Sequence, residues 1–519
     1  MAISRALQQF STRKGLPIYL LAAVSGGLLP LSFAPYSLWM MTPVSVLLLL
    51  SCINALQRAN NSFSQPKEKA SAFTLGWFFG LGLFGTGVSW VYVSIHDYGY
   101  TGIPLALLLT LAFIMGLALL PALQISLYQR FFAKKQSPLL SITSFAALWV
   151  LFEWLRTWLL TGFPWLFAGN ALVDSPLVGW LPLGGVFTAS FLLVLTGGVF
   201  YLALQRKIKL RSLLALMVTL LVASAGLNHI QWTEPSQPKL QVALVQGNID
   251  QNLKWKPQYR QQFLQLYRNL TQDIQDADLV IWPETAVPLL LEQSKPYLAQ
   301  IISELPEKTA LITGLPQRAV STDGNQAFYN SVIATGDADG IYHKQKLVPF
   351  GEYVPLESLF RGMISFFNLP MSSFIAGDSA QPLLVAKGQS IAPFICYEVV
   401  YPDFVRQQAQ SSDLLVTISN DSWFGHSVGP LQHLQMAQVR AAENGRYMLR
   451  GTNNGVTAII DPQGRITASA PQFEPAIVRG EAQSMSGHTA FSRYGSTPIL
   501  LLCAVILLLC FNLKKGRSI

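Results

Sequence analysis

Long apolar stretches fill the first 228 residues of the chain and return near its C-terminus. They span residues 16–34, 37–56, 72–94, 103–129, 138–159, 179–204, 212–228 and 496–513. A bilayer core about 30 Å thick is crossed by a helix of about 20 apolar residues, because each residue adds about 1.5 Å. The pattern therefore predicts seven transmembrane helices in a membrane domain at 1–228. It predicts one more in a C-terminal segment at 491–519, which ends in a cytoplasmic tail.

The part between these stretches, 229–490, has a different pattern, in which short apolar runs alternate with amphipathic stretches. Such alternation predicts an α/β domain in which helices cover a sheet. The predicted strands are 240–246, 278–282, 309–314, 329–335, 390–396, 414–419, 447–452 and 456–461. The predicted helices are 258–275, 294–304 and 429–444. The fold class is thus a multi-span α-helical membrane protein with an inserted α/β domain.

Basic residues indicate which ends of the predicted helices face the cytoplasm. They cluster in alternate gaps between the apolar stretches, for example at 130–135 and 206–211, while the gap 96–102 has no lysine or arginine. Positive charge is retained on the cytoplasmic side, so both termini are expected there. An odd number of predicted helices precedes 229–490, which places that domain outside the cytoplasm.

The composition also fits a membrane protein. Apolar residues make up 51% of the 519 residues and charged residues 12%, whereas soluble domains have about 25% charged residues. The net charge is +9, but the basic excess lies in the apolar flanks and not in 229–490. We therefore expect no nucleic-acid partner.

Cysteine usage isolates one thiol. Cys52, Cys503 and Cys510 lie in predicted membrane helices, which leaves Cys396 alone in 229–490. A domain with one cysteine cannot form an internal disulfide, even in an oxidising compartment. Two interpretations remain for Cys396: a small buried side chain or a reactive thiol.

Three short segments that follow predicted strands carry candidate catalytic side chains. Glu284 follows a Trp-Pro turn, and a carboxylate at such a position is a candidate general base. Lys344 lies in a polar run, where a cation close to a thiolate could lower the thiol's pKa and stabilise an oxyanion. Cys396 ends a predicted strand and suits an exposed nucleophile. Taken singly, a glutamate such as Glu284 more often begins a helix, and a solvated strand edge is the favoured interpretation of Lys344.

The order Glu284, Lys344, Cys396 resembles the nitrilase superfamily of C–N hydrolases and their amide-forming relatives. Within it, the run Leu-Val-Pro-Phe-Gly-Glu-Tyr-Val-Pro at 347–355 and the run Ser-Asn-Asp-Ser-Trp-Phe-Gly at 419–425 resemble the apolipoprotein N-acyltransferase family. The predicted membrane helices match that family as well, so the resemblance covers almost the whole chain. It implies a nitrilase-like α-β-β-α sandwich as the catalytic domain at 229–490.

The resemblance also implies roles for individual residues. Glu284 corresponds to the general base, Lys344 to the oxyanion-stabilising lysine and Cys396 to the nucleophile. Glu352 matches a second glutamate that supports the site. Lys344 takes the role because the superfamily pattern Tyr-x-Lys-x-His-Leu places its lysine two residues after the tyrosine, whereas Lys346 stands where histidine is common. The residues that match substrate-binding positions are Trp255, Asn330, Tyr397, Glu398 and Trp423.

The implied reaction is transfer of a fatty acyl chain from a phospholipid to the N-terminal amine of the S-diacylglyceryl-cysteine of an apolipoprotein, through a thioester on Cys396. The implied partners are the phospholipid donor, the diacylglyceryl-apolipoprotein acceptor and the lipid bilayer, and the enzyme is expected to be a monomer. The implied location is a bacterial cytoplasmic (inner) membrane, with the catalytic domain on the periplasmic side. No cofactor is implied, and the histidine and cysteine spacing predicts no metal site.

Two alternative functions use the same features differently. A membrane-tethered amidase or nitrilase would use the same three residues with water as the acceptor, but such an enzyme has no need of eight membrane helices. A transporter with an extracytoplasmic sensor domain belongs to another class, and the shortage of ionisable residues inside the predicted helices argues against it.

Two short motifs point to other chemistry. The run Gly-His-Ser-Val-Gly at 425–429 fits the G-x-S-x-G motif of lipases, and Asp461 and His488 follow in the required order. However, a nucleophile elbow needs the strand to run directly into the serine, and Ser427 lies well past the predicted strand. Glycines in 80–85 spell a dinucleotide-binding fingerprint, but they lie inside a predicted membrane helix, where small residues serve helix packing.

Two further features concern the membrane. Glu153 and Arg156 lie in the fifth predicted helix, where they could form a structural pair or touch a lipid headgroup, and we favour the pair. The segment 356–377 is unusually apolar for a loop. It could be a packed loop, or it could enter the lipid and cover a lipid-binding site.

Overall fold

The computed structural model describes residues 15–61, 70–133, 137–320, 324, 326–349, 351–353 and 374–515. Most of the apolar segment 356–377 lies outside these residues. The described chain forms two compact units. The first takes its residues from Met1–Tyr92, Ile103–Ile230 and Ser496–Ile519, and the second from Val93–Gly102 and Gln231–Gly495.

The first unit is helical. Its main helices are Leu16–Leu28, Met41–Asn61, Ala72–Gly87, Ile103–Leu117, Leu119–Leu127, Pro138–Leu155, Trp180–Leu204, Leu210–Asn228 and Thr497–Lys515. Within the described residues, five helices are long and apolar enough to cross a membrane, or six if the bent pair Ala72–Gly87 and Val91–Tyr98 is one span. Leu16–Ser32 and Thr497–Asn512 are apolar but shorter. All eight predicted stretches are therefore mainly helical, and the number that crosses a membrane stays a prediction.

The glycines of the dinucleotide-like motif pack helices together. A Cβ added to Gly80 would lie 2.6 Å from the Cα of Ala118, and one added to Gly82 would collide with the carbonyl oxygen of Ala23. Both glycines thus allow neighbouring helix backbones to approach closely. Helix packing accounts for this motif.

Glu153 and Arg156 form a structural pair inside the helical unit. Their charged groups lie 4.0 Å apart, and both residues are buried. Glu153 Oε1 accepts hydrogen bonds from Trp149 Nε1 at 2.9 Å and from the backbone N–H of Ala168 at 2.8 Å. Arg156 donates to the carbonyl oxygen of Trp165 at 2.8 Å. The pair therefore fixes the chain that follows its helix.

The second unit is built on two β-sheets. Its strands are β1 (Thr233–Gln246), β2 (Leu279–Ile281), β3 (Ala310–Val320), β4 (Gln326–Gly336), β5 (Ala338–Asp339), β6 (Ile341–His343), β7 (Leu384–Ala386), β8 (Gln389–Ile395), β9 (Leu414–Ser419), β10 (Met448–Thr452), β11 (Ala458–Ile460), β12 (Ile466–Ser469) and β13 (Ala476–Gly487). The described strands form a six-stranded sheet in the order β13-β1-β2-β3-β4-β6 and a seven-stranded sheet in the order β12-β11-β10-β9-β8-β7-β5. Strands β1 to β3 are parallel in the first sheet, and β8 to β10 are parallel in the second.

Side chains alternate between the two faces of each sheet and so enter two different cores. Leu244 of β1 packs between the sheets, in a cluster that also contains Val416 of β9. The next residue, Val245, packs on the opposite face against a cluster that contains Tyr267. The helices that cover the first sheet are Arg260–Gln272 and Leu291–Glu304, and those that contact the second are Pro402–Ala409 and Gly429–Asn444. The layers therefore follow the expected α-β-β-α order.

The segment 93–102 also belongs to this unit, although it lies between apolar helices in the sequence. Ser94 Oγ donates to the carbonyl oxygen of Trp423 at 2.7 Å, and the ring of Tyr98 lies against the Trp423 ring with centroids 5.8 Å apart. Tyr100 donates its hydroxyl to Asn252 Oδ1 at 2.7 Å. This segment therefore contributes to the surroundings of the loops that follow β1 and β9.

Candidate active site

Strand ends bring the candidate catalytic residues into one region of the sandwich. Glu284 follows β2, Lys344 directly follows β6, and Cys396 directly follows β8. The charges of both Glu284 and Lys344 act on the Cys396 thiol. Three segments that are far apart in the sequence therefore form one site.

The Glu284 carboxylate is held by hydrogen bonds at both oxygens. Asn330 Nδ2 donates to Oε1 at 2.7 Å, and the backbone N–H of Asn420 donates to Oε2 at 2.8 Å. Glu284 is 8% exposed, and the following residue, Thr285, has a left-handed backbone with φ of +50°. The carboxylate orientation is therefore fixed by groups on two other strands or strand ends.

Lys344 is 1% exposed and lies between two carboxylates. Its ammonium is 2.8 Å from Glu352 and 3.8 Å from Glu284. Burial lowers the pKa of Lys344, but the charges of Glu352 and Glu284 outweigh burial, so the pKa lies above its ordinary value. The lysine is therefore a permanent cation beside the thiol.

Lys346 is positioned differently from Lys344. Its ammonium lies 5.7 Å from the centre of the Tyr401 ring and 5.8 Å from that of Phe404. These are cation–π contacts. The structure thus places Lys344, and not Lys346, between the two glutamates.

Cys396 occupies a strained backbone position. Its φ is +53°, in the left-handed region that non-glycine residues rarely adopt. Burial raises the pKa of the Cys396 thiol, the negative charge of Glu284 raises it further, and Lys344 opposes both. Lys344 lowers this pKa, as the sequence led us to expect, but burial and Glu284 outweigh it, so the net shift of the pKa is upward. The resting group is therefore a neutral thiol that needs a base.

The five predicted substrate-binding residues differ in how accessible they are. Trp255 is 40% exposed, Trp423 is half-buried, and Tyr397 is buried with its ring 5.4 Å from that of Tyr401. Asn330 is buried, and its Nδ2 donates to Glu352 as well as Glu284. The amide group of Asn330 therefore links the two carboxylates.

Glu398 is completely buried, and its carboxylate is hydrogen-bonded to other groups of the protein. Its carboxylate accepts hydrogen bonds from the Tyr342 hydroxyl at 2.8 Å and from the backbone N–H groups of Gln345, Lys346 and Ile395 at 2.7, 3.1 and 2.7 Å. Burial raises the pKa of Glu398 to about 7, although the backbone donors oppose this shift. The side chain ties the segment that carries Lys344 to the one that carries Cys396.

The lipase-like motif is not assembled into a triad. Ser427 Oγ accepts the backbone N–H of Gly429 at 3.2 Å. Asp461 is paired with Arg465 at 2.7 Å, and the His488 ring lies 3.4 Å from Ser492 Oγ. Each member of the supposed triad therefore has its own local partner.

Sequence reasoning missed several residues that shape the site. Asn420 lay in a motif that we quoted, but no role was assigned to it. His433 was examined only as a metal ligand, yet its Nε2 lies 3.1 Å from the Cys396 carbonyl oxygen. Its helix buries several other polar side chains, among them Arg440 and Glu443, so the sequence pattern did not single His433 out. Within the described residues, no group of three or more His, Cys, Asp or Glu side chains could hold a metal ion.

A cavity of about 280 Å³ opens beside the site. Gln251 and Ser422 line it, and both are hydrogen-bonded to Asn420, at 2.6 and 2.8 Å. Because the backbone of Asn420 also binds Glu284, one residue links the cavity wall to the candidate base. The other lining residues are Tyr98, Asn248, Ile249, Asp250, Asn252, Gly425, His426, Asn454 and Phe473.

Comparison with known proteins adds an independent line of evidence. A family model described as "Apolipoprotein N-acyltransferase N-terminal domain" matches residues 25–199, and one described as "Carbon-nitrogen hydrolase" matches residues 241–489. A solved carbon-nitrogen hydrolase from Helicobacter pylori is 14% identical, covers 51% of this chain and 94% of its own, and gives a TM-score of 0.34.

Curated relatives match over nearly the full length. The apolipoprotein N-acyltransferase of Pseudomonas syringae pv. tomato is 48% identical over 500 residues, which are 95% of this chain and 96% of the relative. The apolipoprotein N-acyltransferase of Azotobacter vinelandii is 48% identical over 512 residues, which are 98% of this chain and 97% of the relative. On this evidence, the chain belongs to the apolipoprotein N-acyltransferase family.

Proposed function

We propose that this enzyme acylates the N-terminal amine of diacylglyceryl-apolipoproteins by way of a thioester on Cys396, with Glu284 as the base and Lys344 as the oxyanion-stabilising cation. The acyl donor is a phospholipid. The site lies at the outer face of a bacterial inner membrane, where both lipid substrates are already concentrated. Holding two reactants together in this way removes much of the entropic barrier to their reaction.

In the first half-reaction, Glu284 takes the proton of the Cys396 thiol and the sulfur attacks the ester carbonyl of the phospholipid. The Lys344 ammonium and the backbone N–H of Tyr397 stabilise the oxyanion. The carbon–oxygen ester bond then breaks, and the leaving lysophospholipid oxygen takes the proton from Glu284. The acyl chain remains on sulfur as a thioester.

In the second half-reaction, the free amine of the acceptor attacks the thioester and Glu284 takes a proton from the attacking nitrogen. The carbon–sulfur bond breaks, an amide forms, and the proton returns to the Cys396 sulfur. The enzyme is then ready for another phospholipid, and no cofactor is consumed.

The observation that carries this proposal is the arrangement of charge around the thiol. Burial and then the charge of Glu284 raise the pKa of Cys396, so the thiol keeps its proton until it reacts. Asn330 and Asn420 hold both Glu284 oxygens, while Glu352 takes the closer contact with Lys344. This leaves a carboxylate that is oriented for proton transfer and a cation that can serve the oxyanion. Relatives that match over 95–98% of the chain, membrane helices included, support a lipid substrate.

Mass spectrometry of the full-length protein tests the proposal. After incubation with phospholipid, we expect an acyl mass on the peptide that contains Cys396, and we expect a diacylated lipopeptide to discharge it. Rapid discharge by water alone would instead indicate an amidase-type hydrolase. Absence of any acyl mass on Cys396 while lipopeptide is still acylated would refute the thioester mechanism.

A further inference from the structure

His433 contacts the backbone of the candidate nucleophile from the helix Gly429–Asn444. The residue is 1% exposed, and its Nε2 lies 3.1 Å from the carbonyl oxygen of Cys396. A carbonyl oxygen only accepts hydrogen bonds, so Nε2 must carry a proton and donate it. The contact therefore requires a proton on Nε2.

The other side of the ring faces a buried ion pair. Arg450 Nη2 lies 2.6 Å from Asp421 Oδ2. His433 Nδ1 lies 3.1 Å from Arg450 Nη2 and 3.1 Å from Asp421 Oδ1. Burial lowers the pKa of His433, Arg450 lowers it further, and Asp421 opposes them, with a net downward shift. Nδ1 thus lies between a guanidinium that can only donate and a carboxylate that can only accept, and both hold the ring in place. The Cys396 carbonyl requires the proton on Nε2 whether or not Nδ1 is protonated.

The Cys396 carbonyl belongs to the same planar peptide group as the Tyr397 N–H. In a trans peptide these two groups point in opposite directions, so holding one fixes the other. A hydrogen bond to the carbonyl also polarises the peptide and strengthens its N–H as a donor. The left-handed φ of Cys396 is strained and persists only where surrounding contacts hold it. His433 supplies such a contact.

We propose that His433 is a positioning residue for the oxyanion hole: by donating to the Cys396 carbonyl, it directs the Tyr397 N–H at the oxygen of the reacting ester. This inference rests on the proposed function, because it takes acyl transfer through Cys396 as the reaction. His433 itself touches neither substrate nor the reacting sulfur in this role.

Two substitutions distinguish the effect of the hydrogen-bond donor of His433 from the effect of the ring's volume. His433→Phe fills the space without a donor, whereas His433→Gln retains an N–H near the position of Nε2. Loss of a whole oxyanion-hole donor costs about 10²–10³ in kcat, so we expect thioester formation to fall about 100-fold in His433→Phe and less than about 10-fold in His433→Gln. His488→Phe, which changes an exposed histidine, serves as the matched control and should be unaffected.

Alkylation of Cys396 by iodoacetamide supplies the second readout, because this displacement forms no oxyanion. We expect the alkylation rate to change less than about threefold in both variants, which is small beside the loss of about 10²–10³ in kcat when an oxyanion-hole donor is removed. Parallel loss of alkylation and thioester formation in His433→Phe would overturn the inference. Unchanged thioester formation in His433→Phe would also overturn it, as would a loss in His433→Gln equal to that in His433→Phe. A wild-type enzyme that is alkylated but never acylated would refute the proposed function itself.

Discussion

The Lys344 ammonium lies 2.8 Å from the Glu352 carboxylate, and both side chains are almost completely buried. Glu284 is 1.0 Å further from the same ammonium, at 3.8 Å against 2.8 Å. Because Glu352 makes the closer contact with the ammonium, we infer that Glu284 is less strongly bound by it and stays available to accept a proton. Glu352 thus leaves Lys344 as the candidate cation and Glu284 as the candidate base beside Cys396.

Replacing Glu352 with Gln should weaken both the fold and the reaction. Breaking a buried ion pair by removing one partner typically costs about 3–5 kcal/mol, and the remaining contact of Lys344 with Glu284 should keep the loss below that range. Lys344 would then turn to Glu284 and reduce its basicity. We expect a lower free energy of unfolding, measured by denaturant titration in detergent, and slower thioester formation on Cys396.

The exposed pair Lys239–Glu481 provides the matched control. Its charged atoms lie 2.6 Å apart, yet both side chains are about half exposed. Exposed pairs contribute about 0–1 kcal/mol, so Glu481→Gln should change stability and activity little. Similar losses in Glu352→Gln and Glu481→Gln would contradict the role assigned to Glu352.

Cys396→Ala and Ser427→Ala distinguish the two candidate nucleophiles. Cys396→Ala should abolish both acyl-enzyme and N-acylated lipopeptide, because no other described thiol lies in this unit. The Ser427 hydroxyl accepts a local backbone hydrogen bond from Gly429, so Ser427→Ala should keep activity within about twofold, as is usual for substitutions away from special features. Turnover by the Cys396→Ala protein that disappears in the double variant would favour the serine.

The sequence predicted the central strands of both sheets better than their edges. Strands such as β2 and β9 are fully buried on both faces and appear as continuous apolar runs. Strand β13 was missed because its apolar positions are interrupted by residues such as Arg479, Gly480 and Glu481. It pairs with β1, more than 200 residues earlier, so its stability comes from a partner that no local pattern indicates.

The candidate site was likewise only partly predictable from the sequence. Glu284, Lys344 and Cys396 were predicted as the catalytic set because the three runs after strands occur together in one order, and the structure brings these side chains into one region. Asn330 was expected to contact substrate, but its two-way bridge between Glu284 and Glu352 depends on side-chain geometry that sequence order does not contain. His433 became meaningful only once β8 was seen beside its helix.

Gly455→Ala tests whether the contacts of Asp421 and Arg450 with His433 are needed for the reaction at Cys396. A Cβ at this position would collide with Asp421 Oδ2, the oxygen that binds Arg450. Overpacking of this kind costs about 1–3 kcal/mol. We expect reduced stability together with slower thioester formation, since Asp421 and Arg450 orient His433. Gly102→Ala is the control, because a Cβ there meets open space. Unchanged thioester formation in a destabilised Gly455→Ala protein would show that this support is not needed for the reaction.

Lys254 should give the enzyme a measurable dependence of stability on pH. It is 2% exposed, and its ammonium donates to the backbone carbonyl of Glu284 at 3.3 Å. Burial lowers the pKa of Lys254 to about 8, although Glu284 opposes this, whereas the pKa of an unfolded lysine is about 10.5. Below pH 8 both states are charged and the folded state bears the full cost of burying the ammonium. Between about pH 8 and 10.5 the folded state loses the proton first, so this cost falls as pH rises.

Comparison of the wild type with Lys254→Met across that range isolates the effect, since methionine keeps the apolar stem without the charge. Each pH unit is worth about 1.4 kcal/mol, so stability of the wild type relative to the variant should rise by roughly 3 kcal/mol between pH 7.5 and 10.5. Loss of the hydrogen bond to Glu284 is similar at both pH values and largely cancels in this difference. Lys256→Met, at an exposed lysine nearby, should show no such change. Parallel stability curves for the wild type and Lys254→Met would mean that Lys254 keeps its proton in the folded state throughout this range.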